Sequence, residues 1–289
     1  MCSLLYSNHE INQLSIARFL VRDVWLIFEL NRIKYKLICR LSKNQYNKID
    51  RSIFPAAPTA NDVFSSRVIG GTDAKVDEFP YIASLRISNS HICAGSILNS
   101  HTIVTAAHCS SWRDDQHNGV VVVVGSIYLK SGGTEYQISK ITIHPDYNAV
   151  TKANDIAVLI TSEAITPSAS VGFISLPSNS TGAGVKVTLT GWGRTRVSLI
   201  RKHCSFLIPY YEDCKKKLPP HYPPPLDTNI CTLTKAGEGA CFGDSGGPLA
   251  EGNVLVGIVN RGVPCAKGHP DVFARVSSYV SWINDNSLS

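Results

Sequence analysis

From about residue 81 onward the sequence is a succession of short runs rich in Val, Ile, Thr and Leu, each only long enough for one strand. Residues 81–87, 103–107, 120–124, 155–160, 186–190 and 254–259 are the clearest. β-Branched side chains are stiff at χ1 and suit a pleated, half-buried surface. Gly, Asn, Ser and Pro punctuate the gaps. Strands do not alternate with long helical patterns, which argues against a parallel α/β sheet. An all-β architecture of two packed antiparallel barrels fits this punctuation and length. The end differs: Val276, Tyr279, Val280 and Ile283 recur at helical spacing, so residues 277–284 read as a terminal helix packing on the second barrel. The polar, Gly-containing stretch 177–184 reads as the boundary between the halves, with one barrel over about 68–176 and the other over about 185–275. Residues 219–225, with five Pro among seven, read as a stiff surface loop.

The charge of +6 is concentrated at the beginning. Residues 1–67 carry ten Lys+Arg against five Asp+Glu, whereas residues 68–289 carry eighteen against seventeen. A near-neutral globular part offers no footprint for a polyanion, so no nucleic acid is expected as a partner. Lys215-Lys216-Lys217 reads as a solvated face. Nine cysteines without paired C-x-x-C spacing point to disulfides and an oxidising compartment rather than to zinc. No carboxylate cluster suggests calcium, and no metal or cofactor is expected. Residues 1–67 read as a leader or propeptide of uncertain start. Their most apolar stretch, 19–30, is interrupted by Arg22, Asp23 and Glu29, so it matches neither a signal-peptide core nor a membrane span.

Three motifs carry chemistry. Gly243-Asp244-Ser245-Gly246-Gly247 puts a Ser on a Gly-rich turn, where its hydroxyl is exposed and backbone N–H groups can approach a carbonyl closely. His108, in Thr105-Ala106-Ala107-His108-Cys109, offers an imidazole able to take the proton of an attacking hydroxyl. Asp155, in Asn154-Asp155-Ile156-Ala157-Val158-Leu159, leads a buried strand and needs a partner there. Arg67-Val68-Ile69-Gly70-Gly71 adds a basic residue before a Gly-containing strand start.

Together, and in the order His, Asp, Ser, these motifs closely resemble the trypsin/chymotrypsin family of serine proteases. The likeness runs from Arg67 to about Ile283. Residues 234–239 and Gly262-Val263-Pro264-Cys265 are most similar to invertebrate digestive chymotrypsins. The roles assigned by this likeness are those of the family, which is the type case for triad chemistry. The resemblance implies two six-stranded Greek-key barrels with a catalytic cleft between them and a C-terminal helix. It implies His108, Asp155 and Ser245 as a triad, and the N–H groups of Gly243 and Ser245 as an oxyanion hole. It implies a secreted, extracellular, monomeric zymogen, activated when a trypsin-like protease cleaves after Arg67 and the freed Val68 amine pairs with Asp244. Implied disulfides are Cys93–Cys109, Cys214–Cys231 and Cys241–Cys265, leaving Cys2, Cys39 and Cys204. Implied partners are protein or peptide substrates, the activating protease and protein inhibitors; no membrane is expected.

By the same resemblance the substrate-binding residues are Gly239, Ala240, Asn260, Arg261, Gly262 and Asp271, of which Gly239, Ala240, Gly262 and Asp271 form the primary specificity pocket. Gly239 leaves an open floor for large apolar side chains, whereas a trypsin would carry Asp there. Asp271 falls on the pocket wall, where it either admits basic side chains or is hydrogen-bonded away. Arg261 stands where the family usually has a Trp platform, which predicts weaker binding of extended peptides. Asn260 replaces the usual Ser behind the triad Asp, and its amide can still donate. Segment 194–213 is shorter than usual and lacks a clean strand pattern. These two departures keep an alternative open, a non-catalytic homologue acting as a binding or regulatory protein.

Overall fold

The computed structural model describes residues 70–111, 119–193, 200–232, 235–263 and 265–288, and the backbone of three strands within 15–38. The chain divides into two compact units, Met1–Val63 and Phe64–Ser289. In the first, β1 (Ser15–Val21), β2 (Val24–Asn31) and β3 (Lys34–Ile38) pair antiparallel in the order β1-β2-β3. Cys2, Cys39, Arg67 and Val68 lie outside the described residues.

The second unit begins with β4 (Thr72–Asp73). A closed barrel follows, built from β5 (Ile82–Ile87), β6 (Ser90–Ile97), β7 (Thr102–Thr105), β8 (Val120–Val124), β9 (Thr134–Ile143) and β10 (Ala157–Thr161). Its order is β10-β7-β6-β5-β8-β9, with every pair antiparallel. Closure removes the open edges that an apolar sheet would otherwise expose. The β5–β6 hairpin turns at Ser88 and Asn89, whose φ angles of 48° and 60° are those of the primed turn that matches strand twist.

The remaining strands are β11 (Lys186–Gly191), β12 (Lys202–Leu207), β13 (Asn229–Thr232), β14 (Pro248–Glu251), β15 (Val254–Gly262) and β16 (Asp271–Arg275). They form a sheet ordered β13-β16-β15-β14-β11-β12, and β4 joins its end through β12. This is the mostly-β, two-barrel arrangement expected of the sequence. β12 lies in the segment read as lacking a strand pattern, yet all six of its residues pair with β11. Its sequence, Lys-His-Cys-Ser-Phe-Leu, carries little apolar signal, and the ladder offered by β11 overrides that weak preference.

Helix α1 (Tyr211–Lys217) has no apolar periodicity to announce it. Glu212 and Asp213 in its first turn and three lysines in its last complement the helix dipole. Those lysines are exposed, as a solvated face requires. A 3₁₀ turn, Val276–Ser278, leads into α2 (Val280–Asn286). This helix packs against the first barrel, contrary to the sequence expectation. Its fully buried Ile283 belongs to an apolar cluster drawn mostly from the first barrel, the His144 ring lies tilted against Trp282 with centroids 4.9 Å apart, and Thr102 of β7 hydrogen-bonds the Leu288 carbonyl at 3.0 Å. Periodicity identifies the buried face of a helix without saying which surface covers it. Among the described residues no helix is long and apolar enough to cross a membrane.

The second sheet has its own core, in which Leu249 is wholly buried among Val187, Leu189, Ile230 and Phe273. Leu249→Ala removes a side chain from a site closed on all sides and should cost about 2–5 kcal/mol. Denaturant unfolding checks this; a loss below about 1 kcal/mol would mean that the site collapses or is not closed.

Candidate active site

β7 ends at Thr105, and the chain turns through the 3₁₀ segment Ala107–Cys109 that carries His108. The Cys93–Cys109 disulfide ties this turn to β6. Asp155 lies two residues before β10, which pairs with β7 from Thr105 onward. The β7–β10 ladder therefore brings residues 47 positions apart together. Asp155 has no exposed surface. Its Oδ2 meets His108 Nδ1 at 2.7 Å, and its Oδ1 accepts the His108 backbone N–H at 2.8 Å. A buried carboxylate held this way fixes the imidazole orientation and keeps the proton on Nδ1, leaving Nε2 as the acceptor.

Ser245 sits in the turn before β14, with Asp244 wholly buried beside it. The Ser245 carbonyl accepts the Ala94 N–H at 2.8 Å. Ala94 follows Cys93, so the Ser245 turn is laid against the strand bonded to the His108 turn. Gly246, at φ 74°, sits so close that a Cβ there would collide with Thr105 Oγ1 and the Ala94 carbonyl. Only glycine allows this approach.

The Asp244 carboxylate is bracketed by backbone. Gly193 N–H donates to Oδ1 at 2.7 Å and Cys241 N–H to Oδ2 at 2.9 Å. Burial pushes its pKa up to about 7, against the pull of those two donors. Side chains at Gly191 or Gly193 would collide with the carboxylate.

Gly239 (φ 148°) and the buried Ala240 are followed by Cys241, which is bonded to Cys265. Asp271 is opposite Gly262 in the β15–β16 ladder. Its Oδ2 accepts the Ala240 N–H at 2.7 Å, and a Cβ on Gly262 would collide with its Oδ1. Asp271 is thus anchored by one oxygen, with the other against Gly262. Burial raises its pKa to about 7, and the nearby Asp244 charge adds to the rise. Cys214 is bonded to Cys231. Cys204 is a free, half-buried thiol on β12.

Asn260 donates through its amide, and the acceptor is a loop carbonyl, that of Lys152 at 2.9 Å, not Asp155. The carboxylate is already taken up by the two His108 N–H groups, while the loop before Asp155 offers a carbonyl within reach. Arg261 spreads over two loops, donating from Nη1 to Thr151 O at 3.3 Å and from Nη2 to Pro224 O at 3.0 Å and Pro223 O at 3.4 Å.

One residue of the site was not legible in the sequence. His91 Nε2 contacts the Gly243 carbonyl at 2.8 Å and Nδ1 contacts Ser84 Oγ at 2.9 Å. A carbonyl only accepts, so Nε2 carries the proton and the Ser84 hydroxyl donates to Nδ1. His91 thus braces the Gly243 turn from β6. Nothing in Ser90-His91-Ile92 marks it, because its partner is 152 positions away. Among the described residues, Cys93, His108 and Cys109 group closely enough to suggest a metal site. Their sulfurs are joined in the disulfide and offer no thiolate, so they do not form a ligand set.

Burial lowers the His91 pKa to about 4, with the Gly243 carbonyl opposing and Arg86 assisting. The unfolded imidazole titrates near 6.5. Folding is then favoured by neutral His91 above that value and weakened as pH falls from about 6.5 towards 4, by up to about 3 kcal/mol. His91→Gln should flatten this part of the stability–pH curve, measured by denaturant unfolding. Parallel curves for variant and wild type would contradict the assignment.

The sequence matches the Trypsin family model over residues 68–283. Chymotrypsin-2 of Vespa crabro is 40% identical over 226 residues, covering 76% of this chain and 100% of that protein. Trypsin delta of Drosophila melanogaster is 35% identical over 227 residues, covering 76% of this chain and 88% of that protein. Trypsin alpha of the same fly is 35% identical over 223 residues, covering 75% and 86%. With the two-barrel fold, the buried Asp–His pair and the glycine-bounded Ser turn, these matches establish that the chain belongs to the trypsin family of serine proteases.

Proposed function

We propose that the chain is a secreted, monomeric serine endopeptidase made as a zymogen, with residues 1–67 as its leader and 68–289 as the protease domain. His108 is the general base, Asp155 its positioning carboxylate and Ser245 the nucleophile. The observation that carries this reading is the wholly buried Asp155 carboxylate holding both N–H groups of His108. Ser245 attacks the peptide carbonyl as His108 Nε2 takes its proton, and the leaving amine then receives that proton. The N–H groups of Gly243 and Ser245 receive the developing oxyanion. Neither has an acceptor among the described residues.

The strand edge supports a peptide substrate. β14 pairs with β15 only as far as Ile258, so Asn260–Gly262 extends beyond it. Gly246, next to Ser245, donates to the Val259 carbonyl at 2.9 Å where that free edge begins. An extended peptide added along the edge has a carbonyl carried to Ser245.

Activation follows cleavage after Arg67 by a trypsin-like protease. A buried carboxylate without a counter-charge is costly, and the new Val68 ammonium supplies one to Asp244. The named relatives include a chymotrypsin and trypsins, so their names do not choose a specificity. We assign cleavage after large apolar residues, because Gly239 leaves the pocket floor open. The Asp271 oxygen beside Gly262 also gives a basic side chain a partner.

A fluorophosphonate probe should label the chain after cleavage at Arg67 and leave Ser245→Ala unlabelled. The same activated enzyme, not exposed to the probe, should cut peptides after Phe and Leu fastest, and Asp271→Gly should lower the rates after Lys and Arg selectively. A folded, cleaved wild type that takes no label would instead be a non-catalytic homologue.

A further inference from the structure

One cation lies on the free edge of β15 and a second on the loop fastened to it. Arg261 projects from the edge itself, and its guanidinium is held by carbonyls only, those of Thr151, Pro223 and Pro224. Its Nε is buried without a hydrogen-bond partner, as is Asn260 Oδ1 next to it. Lys152 follows Thr151, and its Nζ meets the Tyr147 hydroxyl at 3.2 Å. Among the described residues no carboxylate lies within salt-bridge distance of Arg261 or Lys152. Asp155 is the acidic group whose charge Arg261 feels, but it is buried and bonded to His108. Carbonyl dipoles hold a guanidinium in position without neutralising it, and a carboxylate forms much stronger, charge-assisted bonds with it.

The loop carrying Lys152 is built to stay in place. Asn148 Oδ1 accepts the N–H groups of Val150 and Thr151 at 2.9 and 3.0 Å. The Lys152 N–H donates to Asn148 O at 2.8 Å. Lys152 and Asn154 hold φ angles of 59° and 50°, a region non-glycine residues seldom adopt. Asn260 and Arg261 fasten this loop to β15 through the Lys152 and Thr151 carbonyls. The positive rim is therefore preorganised beside the strand that would receive a peptide.

We propose that Arg261 and Lys152 select an acidic side chain in the substrate, in the three residues that precede the one in the specificity pocket. The inference rests on the proposed peptidase reading and names a substrate class for that site. A peptide added to the β15 edge, with its pocket residue beside Gly262 and Asp271, carries its earlier residues past Arg261. Glu or Asp there supplies the missing counter-charge, whereas Lys or Arg meets two like charges. The Arg that takes the place of a Trp platform is then a determinant of specificity as well as a departure from the family.

The test uses the chain cleaved at Arg67 and peptides with Phe before the cut bond. Glu, Gln or Lys occupies each of the three preceding positions in turn. Glu should exceed Lys by about ten- to hundredfold in kcat/KM, mostly through KM, as expected of a charged hydrogen bond. High salt should shrink the ratio. Arg261→Gln, Arg261→Trp and Lys152→Gln should each reduce it, and Arg261→Trp should in addition improve neutral extended peptides. Equal rates with Glu and Lys peptides in an enzyme that takes the fluorophosphonate label would overturn this inference alone. Failure of the wild type to label would overturn the peptidase reading, and this inference with it.

Discussion

A carboxylate with no exposed surface holding two N–H groups of one histidine is the contact around which the molecule is arranged. Ionised Asp155 is tolerable inside the protein only because both oxygens meet donors. The fold supplies those donors by pairing β7 with β10, so the strand ending before His108 and the strand starting after Asp155 share a register. The Cys93–Cys109 bond and the packing of Gly246 on Thr105 and Ala94 then lay the Ser245 turn against the same corner. Any change that shifted the ladder would separate the groups together.

Asp244 is the same problem left partly unsolved. It is as buried as Asp155 and receives two backbone N–H groups, yet burial still raises its pKa to about 7. Glycines at 191 and 193 let the backbone close on it, and His91 holds the neighbouring Gly243 carbonyl from the other side. One buried charge is balanced within the described residues. The other has no cation beside it among the described residues, which is the need that the proposed activation would meet. The Ser245 turn is therefore poised between a settled His–Asp pair and an unsettled Asp.

The all-β fold was legible because strand-length runs of β-branched residues, such as the five valines of β8, have few alternatives in a punctuated sequence. β12 and α1 were not legible. The first contains too few apolar residues to show a period, and the second too few residues of any kind. The surface covering α2 was also hidden, since Ile283 and Trp282 report burial without naming their partner. At the site, the sequence exposed residues whose chemistry is unusual for their surroundings: a Ser among glycines, an Asp leading a buried strand, a His before a Cys. It did not expose His91, whose partners are a hydroxyl and a distant backbone carbonyl. Nor did it reveal that Asn260 serves the Lys152 loop, because which of two nearby acceptors an amide chooses is set by geometry.

The proposed catalysis depends first on Asp155 fixing the imidazole of His108. Turnover of a Phe-containing peptide by Asp155→Asn, cleaved at Arg67 and shown by denaturant unfolding to be folded, tests this most directly. The substitution keeps the shape and removes the charge, so an amide donor would face Nδ1 and favour the wrong tautomer. The expected result is a fall in kcat of about 10⁴-fold near neutral pH, a magnitude taken from this family's type case and not calculated from this molecule. A folded variant that turned over at the wild-type rate would contradict the role given to Asp155.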